Sequence, residues 1–326
     1  MQLLQGGFIP SWIQHKPAEK YLRIVWRFFL QSFMMIPFML YEKRTGNETA
    51  KQQYKFSHMF NWYNLKQAYL SSIPTSIWFT LILFTFEWNF VAHAAILGNL
   101  SNFYNCINRN LAVGVTNPSD ISSIGLILLG ILMILYDSYS LQFEDIYPSS
   151  LNYKMNKLFY REPWQRLLFG NFISLFASFV TFKMQPNASL ALKVYQPYQA
   201  TFFICIFNCL NISMSSYFFS GSDILSGSSM WGLLGLFSSE QFSGFLFMSI
   251  VIGMGGFITS QLTSKMFEQP LLQTFQLFEP IVSALVLQLL DVQIIPRGIS
   301  CIAFLFIISG LFGIITGQYF AKLQIQ

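Results

Sequence analysis

The feature that most constrains this chain is a pair of long apolar runs near its C-terminal end. Residues 270–290 and 298–320 are each nearly free of charge, and a short polar turn with Asp291 and Pro296 separates them. About 20 helical residues rise roughly 30 Å, which is the thickness of the hydrocarbon core of a membrane. Proline suits the first turn of a helix, where its missing N–H costs nothing. The pattern therefore predicts two membrane-spanning helices.

The composition of the whole chain excludes a soluble globular protein. Hydrophobic residues make up 53% of the sequence and charged residues only 10%, whereas soluble domains average about 25% charged residues. The net charge of +5 comes from lysines and arginines in loops, so it does not indicate binding to nucleic acid. We therefore expect an all-α polytopic membrane protein whose first partner is the lipid bilayer.

Nine apolar runs are long enough to be spans. They lie at 21–41, 70–90, 92–112, 121–141, 164–184, 199–219, 243–264, 270–290 and 298–320. The 42–67 loop is rich in lysine and arginine and the 220–241 loop has neither, although the 142–163 loop is also basic. Because basic loops stay in the cytoplasm, we expect an integral protein of the plasma membrane or an endomembrane with a cytoplasmic C-terminus.

The first half of the chain contains a weak copy of the C-terminal pattern. Four identities recur at a separation of 178 positions: Leu111 with Leu289, Pro118 with Pro296, Ile121 with Ile299, and Ser122 with Ser300. Corresponding helices lie five spans apart, and since five is odd the two copies face opposite ways across the membrane. Inverted repeats that share a site at the bilayer midplane are a transporter design.

Glu279 is the strongest candidate for a functional residue. An ionisable group inside a span is costly and needs a partner or a water-filled cavity. Helical spacing places Gln276, Gln273 and Ser283 on its face, and Pro280 frees a backbone carbonyl one turn earlier. These residues are interpreted either as a substrate or proton site at the midplane or as a structural glutamate paired to an arginine or to backbone.

An amide row precedes the turn in the first half. Asn99 and Asn102 begin it, and His93 lies just before. Amides donate and accept hydrogen bonds, which suits a polar, neutral or zwitterionic solute, but they also hold helices together. Arg27 in the first span and Asn208 in 199–219 are further candidates for lining a cavity.

Two other polar residues lie close to span ends. Asp137 and Asn89 are expected at the level of the lipid headgroups rather than in a site.

Motifs of known enzymes are absent from the sequence. There is no HExxH, no Walker A and no dinucleotide-binding fingerprint, and the carboxylates are isolated from one another. The four cysteines lie within apolar spans and the three histidines are scattered. We therefore predict no enzyme, no cofactor and no metal site.

These features together resemble a known family. The helix with Glu279 and Pro280, the break at Asp291, the proline turn and the last helix with Gly310 are similar to the end of an EamA-type transporter of the drug/metabolite transporter superfamily. Ala-His-Ala-Ala-Ile-Leu-Gly-Asn-Leu-Ser at 92–101 is similar to the fourth helix of that family, and Tyr-Leu-Arg-Ile-Val-Trp-Arg-Phe-Phe at 21–29 to its arginine-bearing second helix. The resemblance covers about residues 18–320.

The resemblance implies ten helices in two inverted five-helix repeats, a central cavity, and a carrier for a small organic metabolite that is driven by gradients or exchange. This sequence lacks the first helix, so we expect an incomplete first repeat at 1–141, a connecting loop at 142–163 and a second repeat at 164–326. Either an upstream helix precedes it or the protein has nine helices. In the second case a homodimer that supplies the missing helix, or a non-transporting membrane scaffold or regulatory protein derived from a carrier fold, is the alternative.

Overall fold

A computed structural model describes residues 20–86, 89–113, 118–140, 163–220, 278–289 and 298–323, with single residues between 235 and 296. Every secondary-structure element in these ranges is helical. The α-helices are α1 (Lys20–Thr45), α2 (Glu48–Gln53), α3 (Phe56–Met59), α4 (Trp62–Phe86), α5 (Val91–Gly98), α6 (Ser101–Val113), α7 (Pro118–Ser140), α8 (Pro163–Ala188), α9 (Pro197–Ser220), α10 (Glu279–Leu289) and α11 (Gly298–Leu323). A short 3₁₀ helix, Ala191–Lys193, precedes α9.

Six of the predicted spans are confirmed as helices long and apolar enough to cross a membrane. They lie in α1, α4, α7, α8, α9 and α11. The chain is therefore an integral membrane protein. The described part of the 270–290 run is the eleven-residue α10, and nearly all of the 243–264 run lies outside the described residues.

The predicted span 92–112 is two helices rather than one. Helix α5 ends at Gly98, and Asn99 takes a non-helical conformation with φ −108° and ψ 21°. Glycine is a poor helix former, and asparagine competes for backbone hydrogen bonds in non-helical conformations. Hydropathy averaged over the run does not detect this break.

The start of α4 also differs from the prediction. This helix begins at Trp62, ahead of the predicted span 70–90, because the Asn61 side chain accepts a hydrogen bond from the Tyr63 amide at 2.9 Å. An asparagine cap starts a helix in a polar segment, which a hydropathy pattern does not register.

The chain forms two compact units, and each draws on both halves of the sequence. Unit 1 contains residues 15–83 and 183–258, and unit 2 contains residues 84–182 and 259–326. The repeat boundaries expected from the sequence thus do not coincide with the compact units. They stay a prediction about internal symmetry.

In unit 1 the main contact joins α1 and α9. The Cys209 thiol lies 3.5 Å from the Val25 carbonyl, and the Phe38 and Tyr198 rings are 5.5 Å apart. Partner numbers fall along α9 as they rise along α1, so the two helices are antiparallel.

The segment between α1 and α4 is fixed by side chains outside the spans. The Tyr195 hydroxyl donates to the Met59 carbonyl at 2.7 Å, and burial raises the pKa of Tyr195 to about 12. The Tyr54 hydroxyl donates to Glu42, and burial, followed by this acceptor, raises the pKa of Tyr54 above its usual range. Both phenols therefore remain hydrogen-bond donors at physiological pH.

In unit 2 the main contact joins α7 and α11. A Cβ placed on Gly130 would lie 2.7 Å from the Ala303 carbonyl oxygen, and one on Gly310 would lie 2.6 Å from the Ser123 carbonyl oxygen. The two helices are again antiparallel, since Gly317 lies near Asp120 at the start of α7. Glycine allows the backbones this approach.

Replacing either contact glycine by alanine will destabilise unit 2. In Gly130→Ala and Gly310→Ala the new methyl group meets a backbone oxygen that cannot rotate away, so we expect each variant to lose about 1–3 kcal/mol of unfolding free energy. Unfolding in detergent, followed by circular dichroism, measures this loss.

The matched control is Gly125→Ala on the same helix, where a Cβ meets nothing within 4 Å. It should be neutral or slightly stabilising. Equal stability of all three variants would contradict the close packing of α7 on α11.

Candidate functional site

Helices α4 and α9 of unit 1 face each other through polar side chains, although both are apolar spans. The Ser76 hydroxyl donates to Asn208 Oδ1 at 2.7 Å, and Asn211 Nδ2 donates to the Ser72 and Ser76 hydroxyls, at 3.2 Å in each case. Thr80 Oγ1 lies 3.3 Å from Ser215 Oγ. We call this set the polar groove: Ser72, Ser76, Thr80, Asn208, Asn211 and Ser215.

A cavity of about 290 Å³ opens along the polar groove. Its polar lining comes from Ser76, Thr80, Asn211 and Ser215, and Ile73 and Ile77 contribute apolar surface. This volume is close to the lower end of ligand pockets, which run from about 300 to 1,000 Å³. The described residues that line it include no charged side chain, so the lining suits a small uncharged or zwitterionic solute.

Asn208 is fully buried, and only one of the two polar atoms of its side-chain amide makes a hydrogen bond. Its Oδ1 accepts from Ser76, whereas its Nδ2 has no hydrogen-bond partner in the structure. An unpartnered buried donor costs about 1–3 kcal/mol.

Arg27 is buried in the interior of unit 1. Its guanidinium carbon lies 5.9 Å from the ring centroids of both Phe28 and Phe79, and Gly253 lies close to its Nε. The side chain is 7% exposed. Arg27 therefore does not extend along the helix to the protein surface.

Unit 2 contains a second group of polar side chains, which we call the buried polar cluster: His93, Asp137 and Ser300. Ser300 Oγ donates a short hydrogen bond to Asp137 Oδ2 and lies 2.8 Å from His93 Nε2. All three residues are fully buried. They come from α5, the last turn of α7 and the first turn of α11.

A second hydrogen-bonded chain adjoins this cluster along α7. Asn89 Nδ2 donates a short hydrogen bond to Asn171 Oδ1, and Asn171 Nδ2 donates to the Ser138 hydroxyl at 2.8 Å. Asn89 and Asp137 are both fully buried. Their predicted position at headgroup level stays a prediction, and the structure adds that neighbouring helices bury both side chains.

The predicted site residues fall into different parts of the chain. Arg27 and Asn208 belong to unit 1, whereas His93, Asn99, Asn102, Ser283 and Glu279 belong to unit 2. Gln273 and Gln276 lie outside the described residues.

Within unit 2 these residues do not form one polar row. Asn99 is exposed at the break between α5 and α6, whereas Asn102 lies on α6 and is partly buried. Glu279 starts α10 and is partly exposed. Ser283 is buried one turn later, and its hydroxyl finds no hydrogen-bond partner in the structure. Asn99 therefore lies outside the helix that carries Asn102.

The sequence reasoning missed several residues of both groups. Ser72, Ser76 and Thr80 recur every four residues along α4, a spacing that predicts one polar face on an apolar helix. Ser300 and Asp137 carried no such signal, because their contact depends on how α7 and α11 pack.

Comparison with known proteins gives no function for the polar groove or for the buried polar cluster. The chain matches no protein-family model, and searches of curated proteins and solved structures found no similar protein. The case for a function therefore rests on the geometry.

A water-filled groove should be open to polar thiol reagents. In a background with the four native cysteines replaced by alanine, we expect Ser215→Cys to react with a membrane-impermeant reagent at least about tenfold faster than Leu210→Cys, because the reactive thiolate forms only in water. Leu210 lies on the exposed apolar face of α9 and serves as the matched control. Equal rates would show that the groove is closed to water.

Proposed function

We propose that this protein is a secondary-active or exchange carrier that moves a small, uncharged or zwitterionic organic solute across a membrane by alternating access. The observation that carries the proposal is the polar groove. It places the hydroxyl groups of Ser76, Thr80 and Ser215 and the amide of Asn211 on the wall of a cavity within apolar spans. Polar groups are costly at this depth, and those that line a cavity mark solute pathways in membrane proteins.

The packing of equivalent helices supports an inverted repeat. A shift of 178 positions places α1 on α9 and α7 on α11, and each of these pairs is antiparallel. The contact of α7 with α11 is itself nearly two-fold symmetric. Gly130 meets Ile307 and Ala303, and Gly310 meets Ile127 and Ser123, so the equivalent positions in this contact are 180 apart, two more than the 178 of the sequence repeat. Copies that face opposite ways across a membrane would pack in this manner, which is the arrangement that a carrier of the drug/metabolite type requires.

Counterflow in proteoliposomes tests the carrier. Vesicles loaded with an unlabelled neutral amino acid, hexose or nucleoside should take up the same labelled compound faster than protein-free vesicles in at least one case. Asn211→Leu should abolish this uptake, because it removes two hydrogen bonds and fills the cavity. Leu210→Ala, one residue earlier on the exposed face, should retain it.

Absence of counterflow with every compound of these classes would contradict the proposal. A membrane scaffold, which needs no solute pathway, would then account for the chain better. Uptake that Asn211→Leu leaves intact would instead place the pathway outside the polar groove.

Glu279 provides a second test, aimed at unit 2. Glu279→Gln keeps the size of the side chain and removes its charge, and we expect a loss of counterflow of about tenfold or more if the carboxylate takes part in the transport cycle. The control is Leu285→Ala on the exposed side of α10. Normal uptake by Glu279→Gln would remove this residue from the mechanism.

A further inference from the structure

The buried polar cluster contains a carboxyl group with no cation beside it. Among the described residues Asp137 makes no ion pair, and its Oδ1 has no hydrogen-bond partner. An isolated buried carboxylate is costly and is normally paired or neutralised. The cluster therefore needs a positive charge or a proton that the neighbouring side chains do not provide.

The hydrogen-bond geometry shows where a proton would go. Ser300 has one hydroxyl hydrogen, so when it donates to Asp137 Oδ2 it accepts from His93 Nε2–H. His93 Nδ1 then keeps a lone pair, and it has no partner in the structure. The two unpartnered atoms, His93 Nδ1 and Asp137 Oδ1, are the two ends of a three-residue hydrogen-bonded chain.

We propose that His93, Ser300 and Asp137 form a binding site for one proton and that this proton is the coupling ion of the carrier, an inference that rests on the proposed transport function. A proton that adds to His93 Nδ1 gives an imidazolium, linked through Ser300 to the carboxylate. The Ser300 hydrogen then passes to Asp137 Oδ2 while the Nε2 hydrogen passes to Ser300. The result is a neutral imidazole and a carboxylic acid. No proton is gained or lost in this shift, and both states remove the net negative charge.

Among the described residues, the other charged and titratable groups of unit 2 make no ion pair with Asp137. Arg109 is paired with Asp120 at 2.6 Å, at the opposite end of α7. Arg166 on α8 is buried but makes no ion pair with Asp137 among the described residues. The Cys301 thiol lies close enough to interact electrostatically with Asp137, and Glu279 is the carboxyl group of α10, which packs on α5.

The position of the site connects it to the packing of unit 2. His93 is held between the Phe90 and Phe304 rings, at 5.0 and 5.7 Å between ring centroids. Its helix α5 contacts α10, which carries Glu279 and Ser283. Loss of the proton would leave a net charge where α5, α7 and α11 meet, so binding and release would favour different packings of these helices.

The test uses the full chain in lipid vesicles without any added solute. Infrared difference spectra with ¹³C-labelled aspartate detect a protonated Asp137, and nuclear magnetic resonance with ring-¹⁵N histidine detects a protonated His93. We expect one of the two groups to lose a proton as the pH rises, and Asp137→Asn to abolish the change. Asp120→Asn, whose carboxylate is paired with Arg109, is the matched control and should leave it intact.

The proposal is overturned if neither group changes its protonation state over the pH range in which the protein stays folded, or if the change persists in Asp137→Asn. Melting temperatures of the variants check their folding. If Asp137→Asn does not fold, Ser300→Ala replaces it, and the pH of the transition should then move because the link between His93 and Asp137 is cut. A transition that does not move would count against the site.

Transport assays distinguish failure of the proton coupling from failure of the proposed carrier function. An inward proton gradient of one pH unit should concentrate a counterflow-positive compound up to about tenfold for one proton per uncharged molecule, and Asp137→Asn should reduce the ratio to one. If counterflow occurs but does not respond to the proton gradient, the carrier function stands and its coupling to protons is refuted. Titration of the cluster in a protein that shows no counterflow would refute the carrier and its coupling but keep the proton site.

Discussion

Backbone contact between α7 and α11 is the interaction on which the organisation of unit 2 depends. Gly130 and Gly310 let each helix rest on a carbonyl oxygen of the other. In a membrane this packing replaces the hydrophobic effect, since lipid chains are as apolar as the helix surfaces. Because the two helices are antiparallel, their crossing brings the first turn of α11 to the last turn of α7. The meeting of Ser300 with Asp137 is thus a consequence of two glycines several turns away.

The helical spans follow from the sequence because hydropathy and length are physical requirements of crossing a bilayer. Six predicted spans are helices of suitable length for that reason. The break at Asn99 and the early start of α4 were not predictable in this way. Each depends on one residue, and a hydropathy average over about 20 residues does not register a single cap or a single poor helix former.

The candidate sites are harder to predict than the spans, because they depend on packing. Asp137 and Asn89 lie close to the ends of apolar runs, and the sequence does not show that neighbouring helices bury both of them. Burial is set by which helix packs alongside, and that information is spread over both halves of the chain. Asn208 and His93 were identified as polar residues inside spans, but the sequence could not show that they belong to different compact units.

The polar groove and the buried polar cluster differ in which of their polar atoms lack a hydrogen-bond partner, and this difference bears on function. In the polar groove each hydroxyl and amide finds at least one neighbour, and the donor left over on Asn208 is uncharged. In the buried polar cluster the atoms left over belong to an imidazole and a carboxyl group, both of which are ionisable. A cluster retained only for stability would lose little if Asp137 were an asparagine, because an amide could still accept the Ser300 hydrogen without the cost of a buried charge. The proton site proposed above would give the acidic group at this position a role that an amide could not take.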